Sequence, residues 1–228
     1  MRIGCISDMH GVILPTIEKC DLLLIGGDIV PLSKQRNHHK SWKWFENEFI
    51  PWCESLPCEK VVVVGGNHDF FLDGGKEKAK RILENHPKIV YLDCEYYEYD
   101  GVTIFGTPLC KIFYDWAFMY TTEDQIERYK KVIDGRKVDI LLSHDTPYGT
   151  SDVILQETRW AMDGDPHIGN KALKWLAEEM KPTYLIHGHI HSANHEEELL
   201  GGTKVYCVSS IDENYEWAYP PLYFDFDI

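Results

Sequence analysis

The chain has 228 residues, of which 44% are hydrophobic and 26% are charged. That composition is ordinary for a soluble globular protein, and it excludes disordered, collagen-like and coiled-coil chains. Acidic residues outnumber basic residues by 37 to 23, which gives a formal net charge of −14. Proteins that bind nucleic acid by neutralising phosphates are usually basic, so the charge predicts no nucleic-acid track.

The sequence predicts a single domain spanning residues 1–228, because no repeat, low-complexity tract or long linker divides it. The seven cysteines are scattered, and Cys53 and Cys58 are too far apart for a CxxC motif, so we expect reduced thiols. We recognise no signal peptide, and no run of about 18 apolar residues that could cross a membrane. We therefore expect a cytoplasmic protein without a membrane partner, and the oligomeric state stays open.

The chain contains five short apolar runs, and each is too short to be a core helix. Continuous apolar runs of this length are typical of strands buried on both faces. The runs cover residues 2–7, 21–25, 60–64, 137–142 and 183–186.

Helical patterns lie between these runs, at residues 35–56, 76–85, 122–133 and 168–180. Pro51 is expected to break or kink the first helix, and Thr122-x-x-Gln125 is interpreted as a capping box for the third. Further strands are predicted at residues 96–99, 102–105, 203–208 and 222–226. The alternation of strands and helices favours an α/β architecture with a second sheet or an extended first one.

Polar metal-ligand side chains follow each of the five apolar runs directly. In chain order the motifs are DMH at 8–10, GD at 27–28, GNHD at 66–69, SHD at 143–145 and GHIH at 188–191. Ligands of open α/β sheets bind beyond the carboxyl ends of the strands, so we expect these side chains to converge. Each motif alone recurs by chance, whereas five of them in order, each at a strand end, are specific.

A dense cluster of Asp, Asn and His side chains favours metal binding, because burying unpaired carboxylates is costly. The donors are oxygen and imidazole nitrogen without cysteine, which fits manganese, iron or zinc. They are too many for one ion, so we predict two divalent ions, or a mixed-valence pair, with manganese favoured. Two metal ions about 3.5–4 Å apart are typical of enzymes that hydrolyse phosphate esters.

The order and the residues of the five motifs resemble those of the calcineurin-like metallophosphoesterase superfamily. The resemblance covers the whole chain. This resemblance implies a four-layer sandwich of two mixed β-sheets flanked by helices. The stretches DILLSHDTPYGTSD at 139–152 and YPPLYFDF at 219–226 are similar to a narrower group. That group comprises the small metallophosphoesterase-domain proteins related to class III cyclic nucleotide phosphodiesterases.

The resemblance also implies a role for each residue of the motifs. The ligands of the first metal ion would be Asp8, His10 and His191. The ligands of the second ion would be Asn67, His144 and His189, with Asp28 bridging the two ions. His68 corresponds to the family's non-ligand histidine, and Asp69 to the acidic neighbour that orients the histidine ring.

These assignments predict a metal-dependent phosphohydrolase that acts on a small phosphorylated substrate. A hydroxide shared by the two metals would attack phosphorus in line, while the metals neutralise charge on the phosphoryl oxygens. His68 would stabilise the transition state or protonate the leaving oxygen, and Asp69 would hold its ring.

Phosphodiester cleavage is favoured over monoester cleavage, on the narrower resemblance and on the lack of a cationic cluster beside the motifs. Loops could still bring Lys111 or Arg159 to the site. A phosphomonoesterase on the same site and a non-catalytic interaction module on the same fold stay open as alternatives. Two stretches, 109–121 with Trp116 and 148–166 with Trp160, are either surface loops or walls of a substrate pocket.

Overall fold

A computed structural model describes residues 1–13, 16–153 and 166–227. Its strands, in chain order, are β1 (Arg2–Ile6), β2 (Cys20–Ile25), β3 (Cys58–Val64), β4 (Ile89–Leu92), β5 (Glu95–Tyr99), β6 (Val102–Thr107), β7 (Cys110–Lys111), β8 (Met119–Tyr120), β9 (Ile140–Ser143), β10 (Tyr184–His187), β11 (Glu198–Leu200), β12 (Thr203–Cys207) and β13 (Leu222–Asp225). Its α-helices are α1 (His38–Trp44), α2 (Ile50–Ser55), α3 (Lys76–Leu83), α4 (Thr122–Val132) and α5 (Lys171–Met180). No helix in the described ranges is both long and apolar enough to span a bilayer.

The strands form two large mixed sheets and one small pair. The first sheet has the order β13-β1-β2-β3-β4, with β1 to β4 parallel and β13 antiparallel at the edge. The second sheet has the order β11-β12-β10-β9-β6-β5, with antiparallel strands β11 and β5 at its two edges. The short strands β7 and β8 pair with each other. The expected second sheet is therefore confirmed.

The side chains of the central strands alternate between two apolar layers. In β2, Leu22 and Leu24 pack between the sheets, whereas Leu23 and Ile25 face the outer layer. Burial on both faces is why these strands are apolar at every position rather than at every second one. A side chain of this type contributes roughly 1.5–3 kcal/mol when it is fully buried.

Helices cover the outer face of each sheet, which completes the four layers expected from the resemblance. Trp42 of α1 and Trp52 of α2 pack on the first sheet. Tyr129 of α4 and Leu173 of α5 pack on the second sheet. The order of layers is helix, sheet, sheet, helix.

The helix boundaries correct two expectations from the sequence. Pro51 does not break the helical stretch, because it lies in the first turn of α2, directly after a π-helical segment at Phe45–Phe49; a kink there stays a prediction. The missing N–H group of Pro51 falls directly after the point where the hydrogen-bond pattern changes from π-helical to α-helical. The capping residue of α4 is Thr121 rather than Thr122, and its side chain accepts a hydrogen bond from the backbone N–H of Asp124 at 3.1 Å.

Candidate metal centre

The five motifs meet at one edge of the sandwich, where the carboxyl ends of strands from both sheets converge. β1, β2 and β3 contribute from the first sheet, and β9 and β10 from the second. A parallel bridge between Ser7 and Ser209 joins the chain just beyond β1 to the chain just beyond β12. The structure therefore brings all seven predicted ligands into one cluster.

Four of these ligands adopt a left-handed backbone conformation, which is uncommon for residues with a side chain. The φ angles are 54° at Asp8, 44° at His10, 50° at Asp28 and 72° at His189. Such strain persists only where the surrounding structure holds it, and it concentrates at functional sites.

Two glycines let the backbone approach the ligands more closely than any other residue could. A Cβ atom on Gly188 would lie 2.1 Å from Oδ2 of Asp8, and one on Gly66 would lie 2.2 Å from Oδ1 of Asp28. Glycine is therefore required beside both aspartates.

Asp8, His10 and His191 form one group whose potential ligand atoms all lie within 4.8 Å of one another. Nδ1–H of His191 donates to the carbonyl oxygen of Asp212 at 3.0 Å, which leaves Nε2 facing Asp8 at 3.4 Å. His10 is buried, and neither of its ring nitrogens has a hydrogen-bond partner in the described part of the chain. A metal ion would take up one of these two nitrogens, so the residues fit the predicted group.

Asn67, His144 and His189 meet at a single oxygen atom. Oδ1 of Asn67 lies 2.8 Å from Nε2 of His144 and 2.8 Å from Nδ1 of His189. Nδ1–H of His144 donates to the carbonyl oxygen of Gly26 at 2.8 Å, which orients the ring.

Asp28 lies between the two groups. Its Oδ2 is 3.6 Å from Nε2 of His10 and 3.4 Å from Nε2 of His144. It also belongs to two further groups of candidate metal-binding residues, one with His10 and His68 and the other with Asp8 and His144. This position is the one that a bridging ligand needs, and the assignment of individual ligands stays a prediction.

The ionisation of Asp28 and His10 suits cation binding, whereas that of His144 does not. Burial by itself would raise the pKa of Asp28, but its electrostatic interactions, first with His144 and then with His68, lower it well below its ordinary value. Burial lowers the pKa of His10 to about 4, so its ring is neutral and can offer a lone pair. Burial would lower the pKa of His144 too, yet the neighbouring charge of Asp28 raises it to about 10. Without a metal ion His144 is therefore expected to carry a proton, which an incoming cation would displace.

His68 lies at the rim of this cluster. Its backbone N–H donates to Oδ1 of Asp28 at 2.7 Å, and its Nε2 is 3.9 Å from Oδ2 of the same residue. Its Nδ1–H donates to Oε1 of Gln35. One face of its ring packs on Trp116, with the ring centroids 4.4 Å apart. Nε2 is therefore the nitrogen directed at the candidate centre.

The expectation that Asp69 holds the ring of His68 is wrong. Asp69 is fully buried, and its carboxylate accepts hydrogen bonds from backbone N–H groups of Gly66, Ile29 and Val30 at 2.9–3.2 Å. Burial and the nearby charge of Asp28 raise the pKa of Asp69 to about 7. Asp69 thus ties the loop after β3 to the loop after β2, and Gln35 is the residue that orients His68.

The chain matches a known family over most of its length. The model of the calcineurin-like phosphoesterase family matches residues 1–193 of this chain. The chain belongs to the calcineurin-like phosphoesterase family. This phosphoesterase is accordingly a hydrolase, and its Asp and His clusters are candidate metal-binding groups.

Named relatives agree with the narrower resemblance. This phosphoesterase is 27% identical over 246 residues to UPF0046 protein C25E10.12 of Caenorhabditis elegans, covering 99% of this chain and 80% of the relative. It is 27% identical over 248 residues to metallophosphoesterase domain-containing protein 1 of Homo sapiens, covering 98% and 70%. Its fold is similar to the crystal structure of TT1561 of Thermus thermophilus, with a TM-score of 0.62 at 15% identity, covering 90% and 88%.

The surroundings of the centre include residues that motif analysis missed or left open. Gln35 belongs to no motif, and a single sequence carries no signal for its contact with His68. Trp116, from the first aromatic stretch, lies against His68 and under the guanidinium group of Arg36, which is 4.9 Å from the Trp116 ring. Arg36 also forms a two-pronged ion pair with Asp115. Trp160 and Arg159 lie outside the described residues.

Proposed function

We propose that this protein hydrolyses small phosphodiesters and uses two bound divalent ions to do so. Manganese is the favoured metal for both ions. The observation that carries the proposal is the convergence of seven oxygen and nitrogen ligands beside one histidine whose Nε2 faces them. Asp8, His10 and His191 would hold one ion, and Asn67, His144 and His189 the other, with Asp28 shared. When bound, the two ions would lower the pKa of a shared water molecule and neutralise charge on the phosphoryl oxygens.

The role of His68 follows from its hydrogen bonds. Because the oxygen of Gln35 can only accept, Nδ1 of His68 carries a hydrogen and the ring is fixed in one orientation. Burial lowers the pKa of His68 below its ordinary value, so a proton taken up at Nε2 is held weakly and is readily given to the oxygen that leaves phosphorus. Gln35 sets this geometry without contacting substrate.

The preference for diesters is supported by the charges around the centre. A monoester carries two negative charges and gains from additional Arg or Lys donors. In residues 1–13, 16–153 and 166–227, no Lys or Arg side chain bonds to any predicted ligand or to His68. The guanidinium group of Arg36 is held by Asp115 and lies over the ring of Trp116.

We also propose a reducing compartment, the cytoplasm, as the place of action. All seven cysteines are free thiols, and burial raises the pKa of several of them, including Cys5 and Cys110. Protonated buried thiols behave as small apolar side chains and are inert.

The test compares hydrolysis of bis-p-nitrophenyl phosphate with that of p-nitrophenyl phosphate, with Mn²⁺ supplied. We expect the unchanged protein to turn over the diester faster than the monoester. Diester turnover should fall by about 100-fold or more in His68→Ala. It should not change in His39→Ala, because His39 is an exposed residue of α1. Faster monoester turnover would make the protein a phosphomonoesterase instead. Bound metal without turnover of either ester would favour a non-catalytic interaction module.

A further inference from the structure

A short loop near the end of the chain holds Tyr215 in a strained conformation. The φ angle of Tyr215 is 62°, in the left-handed region that tyrosine rarely adopts. Asp212 maintains the loop, since its carboxylate accepts from the N–H of Asn214 at 2.8 Å and of Glu216 at 3.0 Å. Its carbonyl oxygen accepts from the N–H of Tyr215 at 3.0 Å. Strain maintained in this way concentrates at sites where ligands are positioned.

The loop directs the ring of Tyr215 onto the candidate metal centre. The ring centroid lies 5.0 Å from that of His10 and 5.3 Å from that of His191, both in edge contacts. It lies 6.4 Å from the ring of His68. Despite these contacts, Tyr215 is 42% exposed, so part of the residue is accessible to an incoming molecule.

Trp116 borders His68 on another side. Its ring packs against His68 at 4.4 Å, whereas Tyr215 lies nearer to His10 and His191 than to His68. The two aromatic residues therefore flank different parts of the centre. If His68 serves the leaving oxygen, Trp116 is beside the leaving alcohol, and Tyr215 is beside the substituent that stays on phosphorus.

We propose that Tyr215 is a specificity-determining residue that contacts the retained alcohol of the diester and favours a flat, aromatic group there. The inference rests on the proposed function. The accessible part of the ring would supply stacking or edge contact to an aromatic substituent, and a methyl group is too small to gain as much from it. Tyr215 takes no part in bond cleavage.

The experiment uses two diesters with the same leaving group, bis-p-nitrophenyl phosphate and methyl p-nitrophenyl phosphate, which differ only in the retained alcohol. Tyr215→Asn removes the ring and suits the left-handed backbone, so the loop is preserved. We expect this variant to lower the ratio of kcat/KM for the aryl over the methyl diester by roughly 3- to 10-fold, mainly through KM. Tyr215→Phe, which keeps the ring, should restore the ratio.

Trp217→Ala is the matched control, because Trp217 is an exposed aromatic residue of the same loop, at 44%. It should leave the ratio unchanged. An unchanged ratio in Tyr215→Asn would overturn the inference. An equal loss on both diesters would overturn it too, since it would mean that Tyr215 acts on the metal ligands rather than on substrate.

Binding provides a readout that does not depend on turnover. Calorimetry with diphenyl phosphate and dimethyl phosphate should show that Tyr215→Asn weakens binding of the aryl compound alone. Equal affinity of the unchanged protein and the variant for diphenyl phosphate would contradict the inference. If the unchanged protein hydrolyses neither diester, the proposed function fails, and the binding comparison still decides the role of Tyr215.

Discussion

At the scale of single residues, two adjacent residues of one motif have different physical roles. His68 and Asp69 are neighbours in the GNHD motif, yet only His68 faces the centre. The carboxylate of Asp69 is enclosed and saturated by three backbone N–H groups. The residue that orients His68 comes instead from the segment before α1, where Gln35 lies.

Asp69 is expected to matter for stability rather than for chemistry. Asp69→Asn replaces an accepting oxygen by an amide that donates, so at least one buried N–H loses its partner. The free energy of unfolding should fall by about 2 kcal/mol, measured by urea denaturation. Asp100→Asn, at an exposed aspartate, should be neutral. Unchanged stability together with lost activity would restore the role that the motif implied for Asp69.

Gln35 is expected to act through His68. Gln35→Leu keeps the volume and removes the acceptor for Nδ1–H, so kcat should fall about 10-fold with little change in KM. The loss should be larger for aryl diesters with poor leaving groups, because they need the proton most. Lys40→Leu, at an exposed position of α1, serves as the control. A loss that is equal for all leaving groups would exclude a positioning role.

At the scale of elements, the turns after the strands determine how tightly the centre is packed. The turn after β10 carries Gly188, which lies against Asp8, the residue two positions after β1. The two turns come from different sheets, so their contact helps to fix the relative position of the sheets at this edge. A bulkier turn would separate the ligands of one ion.

Gly188→Ala tests this close approach. The new Cβ would lie 2.1 Å from Oδ2 of Asp8 and from Oγ of Ser7, so Asp8 must move. We expect the affinity for Mn²⁺, measured by calorimetry, to fall about 10-fold or more. Gly202→Ala is the matched control, because a Cβ there meets nothing within 4 Å. Equal affinities of the two variants would show that the turn has room to adjust.

At the scale of the whole molecule, an acidic protein with a formal charge of −14 gathers buried carboxylates at one edge. Cations are therefore expected to stabilise the fold as well as to serve the chemistry. At a metal concentration about 100 times the Kd, the stabilisation is about 2.7 kcal/mol. For a chain of this size that corresponds to an increase in Tm of roughly 5–10 °C.

Metal removal tests this coupling. Chelator-treated protein should unfold at a lower temperature than protein supplied with Mn²⁺, as followed by circular dichroism. Asp28→Asn, which removes the shared carboxylate, should abolish most of the shift. Identical Tm values with and without Mn²⁺ would contradict the assignment of this cluster as a metal centre.

Much of the fold and most of the cluster could be predicted from sequence, for a local reason. Strands buried on both faces are apolar at every position, and ligand side chains follow them directly, as in the VVVV run before Gly66 and Asn67. The ends of helices are harder to predict, because the cap of α4 and the π-helical segment before Pro51 depend on hydrogen bonds that several sequences can form. The single-domain organisation stays a prediction.

The sequence by itself determined the α/β class, the family and the ligand types, because each of these depends on short stretches of consecutive residues. Only the tertiary structure decided which residues surround the centre, since Gln35, Trp116 and Tyr215 reach it from separate loops. Contacts between distant segments depend on how the two sheets pack, and no local pattern records that packing. The same reason explains Asp69, whose surroundings were set by backbone N–H groups about 40 residues earlier in the chain.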